Sequence, residues 1–168
     1  MHQIAPNLFI GSHFELARIR TQSEYAVVHA SHKAHKQLLG YPHGAPKNRE
    51  YFNARRQNHL YVNIITHSSP IFYHRPLIEV PVRFIHEQRS VDHDVYIYSD
   101  QGGNRPSGIA LVYMANERLI PHESFEAALT EFHKLYPYTR LVGGLYLHIR
   151  HHWETYMELL QKPNIVNQ

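Results

Sequence analysis

The stretch that decides the fold is Val95-Tyr96-Ile97-Tyr98-Ser99-Asp100-Gln101-Gly102-Gly103-Asn104-Arg105-Pro106-Ser107-Gly108-Ile109-Ala110-Leu111. It predicts a buried strand, then a glycine-rich turn, then a helix with Pro106 at its first position. Such a turn directs several backbone N–H groups at one point, where the helix dipole also favours negative charge. The guanidinium of Arg105 adds a planar pair of donors that suits a tetrahedral anion. The stretch therefore predicts an oxyanion-binding loop, although an ordinary turn followed by a solvated arginine would have the same local pattern.

Strand-like and helix-like segments alternate along the rest of the chain. This alternation predicts an α/β fold, a three-layer sandwich in which helices flank a central, mostly parallel sheet of about four to five strands. The predicted strands are residues 8–10, 25–30, 60–65 and 94–99. The predicted helices are residues 13–20, a segment that starts at Pro76, and residues 106–117, 122–135 and 145–160. Pro81 lies inside the second of these helices, where it predicts a kink or a delayed start.

The spacing around Ser99 resembles the phosphate loop of dual-specificity and tyrosine phosphatases, whose pattern is H-C-x-x-G-x-x-R. Gly102 and Arg105 occupy the positions of its glycine and arginine, whereas Tyr98 and Ser99 occupy those of its histidine and cysteine. The chain is similar to the bacterial and phage-type branch of this family over nearly its whole length. The other residues that carry the resemblance are 7–12, 60–64, 124–128, Phe132, 135–137 and Trp153.

The resemblance implies a cysteine-dependent phosphatase fold and assigns roles to the residues of the loop. Ser99 would occupy the position of the catalytic nucleophile. Ligands of such sheets bind beyond the carboxyl ends of the strands, where Ser99 is expected. The implied phosphate-binding residues are Asp100, Gln101, Gly102, Gly103, Asn104 and Arg105.

The loop that would supply the general acid departs from the family pattern. In active members an aspartate after the third strand protonates the leaving oxygen. Here that segment, which we call the acid loop, reads Ile65-Thr66-His67-Ser68-Ser69-Pro70. Ser68 and Ser69 occupy the expected aspartate positions. His67 could donate a proton instead, since imidazole titrates near neutrality, but an exposed loop histidine without a catalytic role fits the pattern as well.

Loss of the cysteine has a direct chemical consequence. In active relatives the positive loop depresses the pKa of the thiol, and the resulting thiolate attacks phosphorus. A serine hydroxyl stays protonated there unless a base removes its proton, and no sequence motif supplies such a base. Loss of an essential nucleophile lowers turnover by on the order of 10^6 in one well-studied hydrolase. The chain is therefore expected to bind anions without useful turnover.

The leading interpretation is a catalytically inactive phosphatase-like protein, a pseudophosphatase, that binds a phosphorylated protein or a small phosphorylated ligand. It requires no cofactor. An alternative is a true dual-specificity phosphatase captured as a cysteine-to-serine variant, which would hydrolyse phosphate monoesters. A slow hydrolase that uses Ser99 with His67, or a scaffold with an idle pocket, is also consistent with the sequence. A cysteine-to-serine substitution made to trap a substrate would keep the aspartate of the acid loop and the histidine before the cysteine. Both of these residues are also absent here, which favours natural loss of activity.

Asp100 raises a question for any phosphate site. A carboxylate beside the loop would repel a phosphate if its side chain pointed inward. The objection is weak if the side chain points away, as the residue after the nucleophile usually does in this fold. The sequence leaves both arrangements open.

Composition sets the outer bounds on function. A chain of 168 residues is most simply one phosphatase-like domain, residues 1–168. A formal net charge of +3 suits phosphorylated ligands but is too small to predict nucleic-acid binding. The chain has no cysteine, which excludes disulfides and thiolate metal sites. No segment approaches the ~20 apolar residues of a membrane span, and no signal peptide is evident, so a cytoplasmic protein is expected.

A basic insertion is predicted at about residues 32–58, between the second and third strands. Its glycines and prolines predict an irregular segment. It could cap the pocket and select the ligand, or it could be a solvated surface excursion. Its cations are Lys33, Lys36, Lys47, Arg49, Arg55 and Arg56.

The chain contains 16 histidines, which raises the question of a metal site. Two groups have suggestive spacing: His29, His32 and His35, and His148, His151 and His152. No acidic motif completes either group, and histidine ligands usually need a further hydrogen-bonding partner. No metal site is therefore predicted.

Overall fold

A computed structural model describes residues 1–19 and 25–161, which are organised around one six-stranded sheet. The strand order is β1-β2-β6-β3-β5-β4. Neighbours among the four inner strands are parallel, and the two edge strands pair antiparallel. The predicted α/β sandwich with a mostly parallel sheet is confirmed, with more strands than expected. The strands are β1 His2–Ala5, β2 Leu8–Ser12, β3 Tyr25–His29, β4 Asn53–Arg56, β5 His59–Val62 and β6 Asp94–Ser99.

Each predicted helical segment contains a helix whose ends are shifted, and a further helix occupies residues 32–39. They are α1 Leu16–Ile19, α2 His32–Leu39, α3 Pro76–Ser90, α4 Arg105–Asn116, α5 Phe125–Leu135, α6 Gly143–His151 and α7 Trp153–Tyr156, with short 3-10 turns at His13–Glu15 and Pro70–Phe72. The predicted helix 13–20 is a 3-10 turn followed by α1, and residue 20 lies outside the described residues. The predicted helix 145–160 is divided at His152 into α6 and α7.

Pro81 neither interrupts α3 nor delays its start, which corrects the expected delay, whereas the expected kink stays a prediction. The helix begins with Pro76 in its first turn and continues to Ser90 with Pro81 inside it. A proline in a helix removes one backbone hydrogen bond. Pro81 is buried, as are its helix neighbours Ile78 and Val82, so packing against the sheet holds the helix through this position.

The segment 32–58 is not irregular throughout, which corrects the prediction. Its first part is α2, where Ser31 Oγ accepts the Ala34 N–H at 3.4 Å and Gly40 ends the helix at φ 70°. Its last part contains β4, which pairs antiparallel with β5. The serine before the helix and the glycine after it are ordinary capping signals. The assignment of residues 1–168 to one domain stays a prediction.

Strand β6 places the candidate site at the centre of the sheet. It alternates between the two faces: Val95 and Ile97 enter the main core, while Tyr96 and Tyr98 join a smaller cluster with residues of α1. The strand ends at Ser99, which is paired in register with Ser12 of β2. The main core also contains residues 109–115 of α4. None of the helices in the described ranges is long and apolar enough to cross a membrane.

Candidate anion-binding site

The loop from Ser99 to Arg105, which we call the anion cradle, connects the end of β6 directly to the start of α4. Ser99 is 2% exposed, and its Oγ accepts a hydrogen bond from the N–H of Gly102 at 3.1 Å. The strand, the turn and the helix therefore follow one another as the sequence predicts. The arrangement brings the serine hydroxyl beneath the first turn of a helix, where backbone donors and the helix dipole favour an anion.

Gly102 is required by the shape of the cradle. Its φ of +80° lies in the left-handed region, which disfavours residues with a side chain. A Cβ at this position would also lie 2.7 Å from the carbonyl oxygen of Gly11. The Tyr136 hydroxyl donates to the Gly102 carbonyl at 3.3 Å, and the Arg140 N–H donates to the Gly103 carbonyl at 2.7 Å. The turn is thus held from β2 and from the segment that follows α5.

Arg105 is the cationic group of the cradle and is mostly buried. Its side chain is 12% exposed; Nη1 donates to the Ile64 carbonyl at 3.4 Å, and Nη2 donates to Oδ2 of Asp100 at 3.2 Å. The sequence left open whether the Asp100 side chain points into the loop or away from it. In the structure its carboxylate lies against the guanidinium of Arg105. Asp100 is 49% exposed, so it competes with an anion from the solvent side.

A cavity of about 360 Å³ opens over the cradle, and we call it the cradle cavity. Its size is within the range of small-molecule sites. It brings together most of the predicted site residues: Ser99, Gln101, Gly103, Asn104 and Arg105. Asp100, which pairs with Arg105, and Gly102, which shapes the turn, do not line the cavity.

Four further residues line the cradle cavity that sequence reasoning did not assign: Thr66, Tyr138, Arg140 and Val142. Arg140 adds a second guanidinium, and no carboxylate in the described ranges forms an ion pair with it. No local motif marks Arg140, because it reaches the cradle through tertiary contacts with Gly103. Tyr138 is 69% exposed and adds an aromatic ring at the cavity wall.

The acid loop contributes Thr66 to the cavity, whereas His67 and Ser68 are exposed outside its lining. His67 Nδ1 accepts the Ser69 N–H at 3.0 Å, and its ring contacts Phe72 with centroids 4.0 Å apart. The His67 carbonyl accepts the N–H of Gly144 at 2.8 Å. The structure thus holds this part of the loop against the start of α6 and does not bring His67 or Ser68 together with Ser99. A general-acid role for either residue stays a prediction.

Tyr98, at the position of the histidine in the phosphatase pattern, belongs to a hydrogen-bonded chain of polar side chains. Its hydroxyl lies 2.6 Å from Nδ1 of His29, and Nε2 of His29 lies 2.9 Å from Nδ1 of His59. The ring of Tyr61 stacks on His29 with centroids 4.0 Å apart. The phenol is therefore engaged with β3, the strand beside β6, and through His29 with the first residue of β5.

The histidines of the first group do not converge on a common point. His29 contacts Tyr98, His32 contacts Asn63, and His35 contacts Tyr41 and the Glu50 carbonyl. Within residues 1–19 and 25–161, no three histidine, aspartate or glutamate side chains are placed so that they could hold a metal ion.

His148 of the second group is buried and hydrogen-bonded within the fold. Its Nε2 lies 2.6 Å from the Tyr156 hydroxyl. Burial, reinforced by His152, His74, His151 and Arg75, lowers the pKa of His148 to about 4. The ring is therefore neutral at physiological pH and serves the packing of α6 against α7.

Comparison with solved structures identifies the fold. Human DUSP28 superimposes with a TM-score of 0.62 at 18% identity, covering 96% of this chain and 98% of that one. A human tyrosine phosphatase-like serine/threonine/tyrosine-interacting protein gives 0.63 at 13% identity, with 96% and 98% coverage. PTPMT1 in complex with PI(5)P gives 0.62 at 12% identity, with 92% and 95% coverage.

No protein-family model matches the sequence, and no curated protein matches it either. The expected similarity to a bacterial and phage-type branch stays a prediction. The structural likeness spans nearly the whole of each chain, and at these identities it shows a shared fold. The chain therefore has the fold of dual-specificity and tyrosine phosphatases, as its central stretch predicts.

Proposed function

We propose that this chain is a catalytically inactive phosphatase-like protein that binds a phosphate monoester in the anion cradle. The observation that carries the proposal is the environment of Ser99. Its buried hydroxyl accepts the Gly102 N–H, beside a mostly buried arginine at the start of a helix. A phosphate at this point would receive backbone N–H groups and a guanidinium, the combination that proteins use for this anion.

Absence of turnover follows from the chemistry around the same hydroxyl. In the described part of the chain, no histidine, aspartate or glutamate makes a hydrogen bond to Ser99 Oγ. The hydroxyl therefore lacks a base that would take its proton, and a neutral alcohol is a poor nucleophile. The residues at the acid positions, His67 and Ser68, are outside the cradle cavity. The chain would then bind a phosphate monoester without hydrolysing it.

The ligand class that fits is a phosphorylated protein or a small phosphorylated molecule. The two arginines at the cradle cavity favour an anion, and the cavity of about 360 Å³ accommodates a phosphate with part of its alcohol. PTPMT1, which shares the fold, was crystallised with PI(5)P, a phosphorylated ligand. We do not expect nucleic-acid binding, a metal or a cofactor, and we place the protein in the cytoplasm as a proposal.

Binding is tested by titrating the full chain with inorganic phosphate and sulfate in a calorimeter. We expect Arg105→Ala to weaken either anion at least tenfold, because it removes the charge-assisted donors. The matched control is Arg49→Ala, an exposed cation of the segment 32–58, which should bind as the unsubstituted chain does. Equal affinities for Arg105→Ala and the unsubstituted chain would contradict the proposal and favour a scaffold whose pocket is idle.

A second candidate function is that of a true phosphatase with serine in place of its cysteine. It is favoured by the intact cradle, because a thiol at position 99 would stand at the end of β6 with the Gly102 N–H directed at it. Ser99→Cys separates the two functions when an aryl phosphate is the substrate. We expect no strong turnover; rapid phosphate release by this variant would favour the trapped phosphatase.

A further inference from the structure

A second cavity adjoins the cradle and is not used by the proposed phosphate binding. It has a volume of about 390 Å³, and we call it the side cavity. Gln101 and Tyr138 line both this cavity and the cradle cavity, so the two spaces share a wall. A ligand whose phosphate lies in the cradle would reach the side cavity by extending its alcohol part past these residues.

The side cavity contains a carboxylate that is held beside the cradle. Oε2 of Glu15 accepts the Ser12 N–H at 3.2 Å and the Tyr96 hydroxyl at 3.2 Å. A Cβ at Gly11 would overlap this carboxylate, and Gly102 packs against the carbonyl of the same glycine. Glu15 and the cradle thus lie on either side of Gly11. The other carboxylate oxygen, Oε1, forms an ion pair with the amino group of Met1.

Three aromatic rings line the side cavity together with Glu15. The ring centroid of His2 lies 5.5 Å from that of Tyr136 and 6.4 Å from that of Tyr138, and the two tyrosine rings are 5.7 Å apart. Aromatic rings attract cations through their quadrupole, and several rings around one point recognise quaternary ammonium groups. The three rings and the Glu15 carboxylate all line the side cavity, and together they favour an ammonium group. The adjoining cradle favours a phosphate.

We propose that the ligand is a phosphate monoester of an amino alcohol, with its phosphate in the cradle and its ammonium group between Glu15 and the three rings. This inference rests on the proposed phosphate binding and specifies its ligand class. The ligand's ammonium would replace the Met1 amino group at Glu15.

The experiment compares phosphocholine with 3,3-dimethylbutyl phosphate, in which a carbon atom replaces the charged nitrogen and the shape is kept. Both are titrated into the full chain by calorimetry, alongside inorganic phosphate. We expect phosphocholine to bind about tenfold more tightly than the neutral analogue, the effect of one favourable cation contact. Equal affinities of the two esters, with inorganic phosphate bound, would overturn the ammonium assignment alone. No binding of inorganic phosphate would overturn the proposed function and this inference with it.

Variants then locate the ammonium group. We expect Glu15→Gln and Tyr138→Leu each to reduce the preference for phosphocholine over its neutral analogue to about twofold or less. Glu154→Gln, an exposed carboxylate on α7, is the control and should keep the full preference. Tyr138 is largely exposed, so its replacement tests the site even if Glu15→Gln disturbs folding. A preference that survives Tyr138→Leu and a folded Glu15→Gln would contradict the placement.

Discussion

Arg105 supplies the charge of the anion site, and Asp100 partly neutralises it. The Asp100 carboxylate lies 3.2 Å from Nη2, while the guanidinium is nearly buried and the carboxylate is half exposed. Because the carboxylate is half exposed, solvent screens its attraction to Arg105. An entering phosphate can therefore displace Asp100 at small cost. We therefore expect the acidic neighbour to weaken anion binding without abolishing it.

Replacing Asp100 by asparagine should strengthen anion binding. Asp100→Asn removes the repulsion and the competition for Nη2 but keeps the backbone N–H and the side-chain size. We expect sulfate and phosphate to bind about two- to fivefold more tightly, as measured by calorimetry at low ionic strength. Asp92→Asn, at an exposed turn away from the cradle, is the control and should leave the affinity unchanged. Weaker binding by Asp100→Asn would show that the carboxylate assists the site.

Gly102 is the residue whose replacement should damage the cradle most directly. Gly102→Ala forces a Cβ into a left-handed conformation and toward the Gly11 carbonyl. We expect the free energy of unfolding to fall by about 1 to 3 kcal/mol and sulfate binding to be lost. Urea titration measures the first effect and calorimetry the second.

Gly44→Ala is the matched control for that substitution. A Cβ at Gly44 meets no atom within 4 Å, so both stability and anion binding should be retained. Unchanged sulfate affinity in Gly102→Ala would mean that the loop does not depend on this backbone conformation.

At the scale of elements, α6 links the acid loop to the interior. The N–H of Gly144 donates to the His67 carbonyl, and a Cβ at Gly144 would overlap the Ser69 carbonyl. One turn further along, His148 reaches the Tyr156 hydroxyl of α7. Burial raises the pKa of Tyr156, so its neutral hydroxyl donates to a neutral imidazole. The junction of α6 and α7 therefore depends on the protonation state of one histidine.

Acidification should destabilise the protein through His148. Its pKa is about 4 in the folded state, below the ordinary histidine value near 6.5, so folding favours the neutral ring. The stabilisation is complete above pH 6.5 and is lost as the pH falls from 6.5 toward 4. We expect the loss to reach on the order of 2 kcal/mol at pH 5. Urea unfolding at pH 7.5, 6 and 5 measures it.

A variant pair assigns this pH dependence. His148→Gln should flatten the decline in unfolding free energy between pH 6.5 and 5, because glutamine does not take up a proton. His151→Gln removes an exposed histidine of the same helix and should retain most of the decline. An undiminished decline in a folded His148→Gln would assign it to other groups.

At the scale of the whole molecule, the inner sheet and the cradle could be predicted because their residues are contiguous in the chain. Strands such as β6 are nearly continuous apolar runs, and strand, turn and helix follow one another without interruption. The edge strand β4, Asn53-Ala54-Arg55-Arg56, was missed because an edge exposes polar side chains and lacks an apolar period. Arg140 and the side cavity were missed because only tertiary contacts bring them to the cradle.

Anion binding should stabilise the entire fold, because the cradle joins the central strand to the buried helix α4. A ligand at 100 times its dissociation constant adds about 2.7 kcal/mol to the free energy of unfolding. We expect a rise of about 5 to 10 °C in the melting temperature in saturating phosphate. Calorimetric scans at constant ionic strength, balanced with chloride, measure the rise, and Arg105→Ala should remove it. An equal rise in that variant would indicate a general salt effect.

The buried hydroxyl at the end of β6 has one further consequence. A thiolate in such a loop is the atom that peroxide oxidises to sulfenic acid and that alkylating reagents modify. An alcohol at the same point reacts with neither. Ligand capture by this protein should therefore be the same in an oxidising and in a reducing milieu, where thiol-dependent phosphatases would switch off and on.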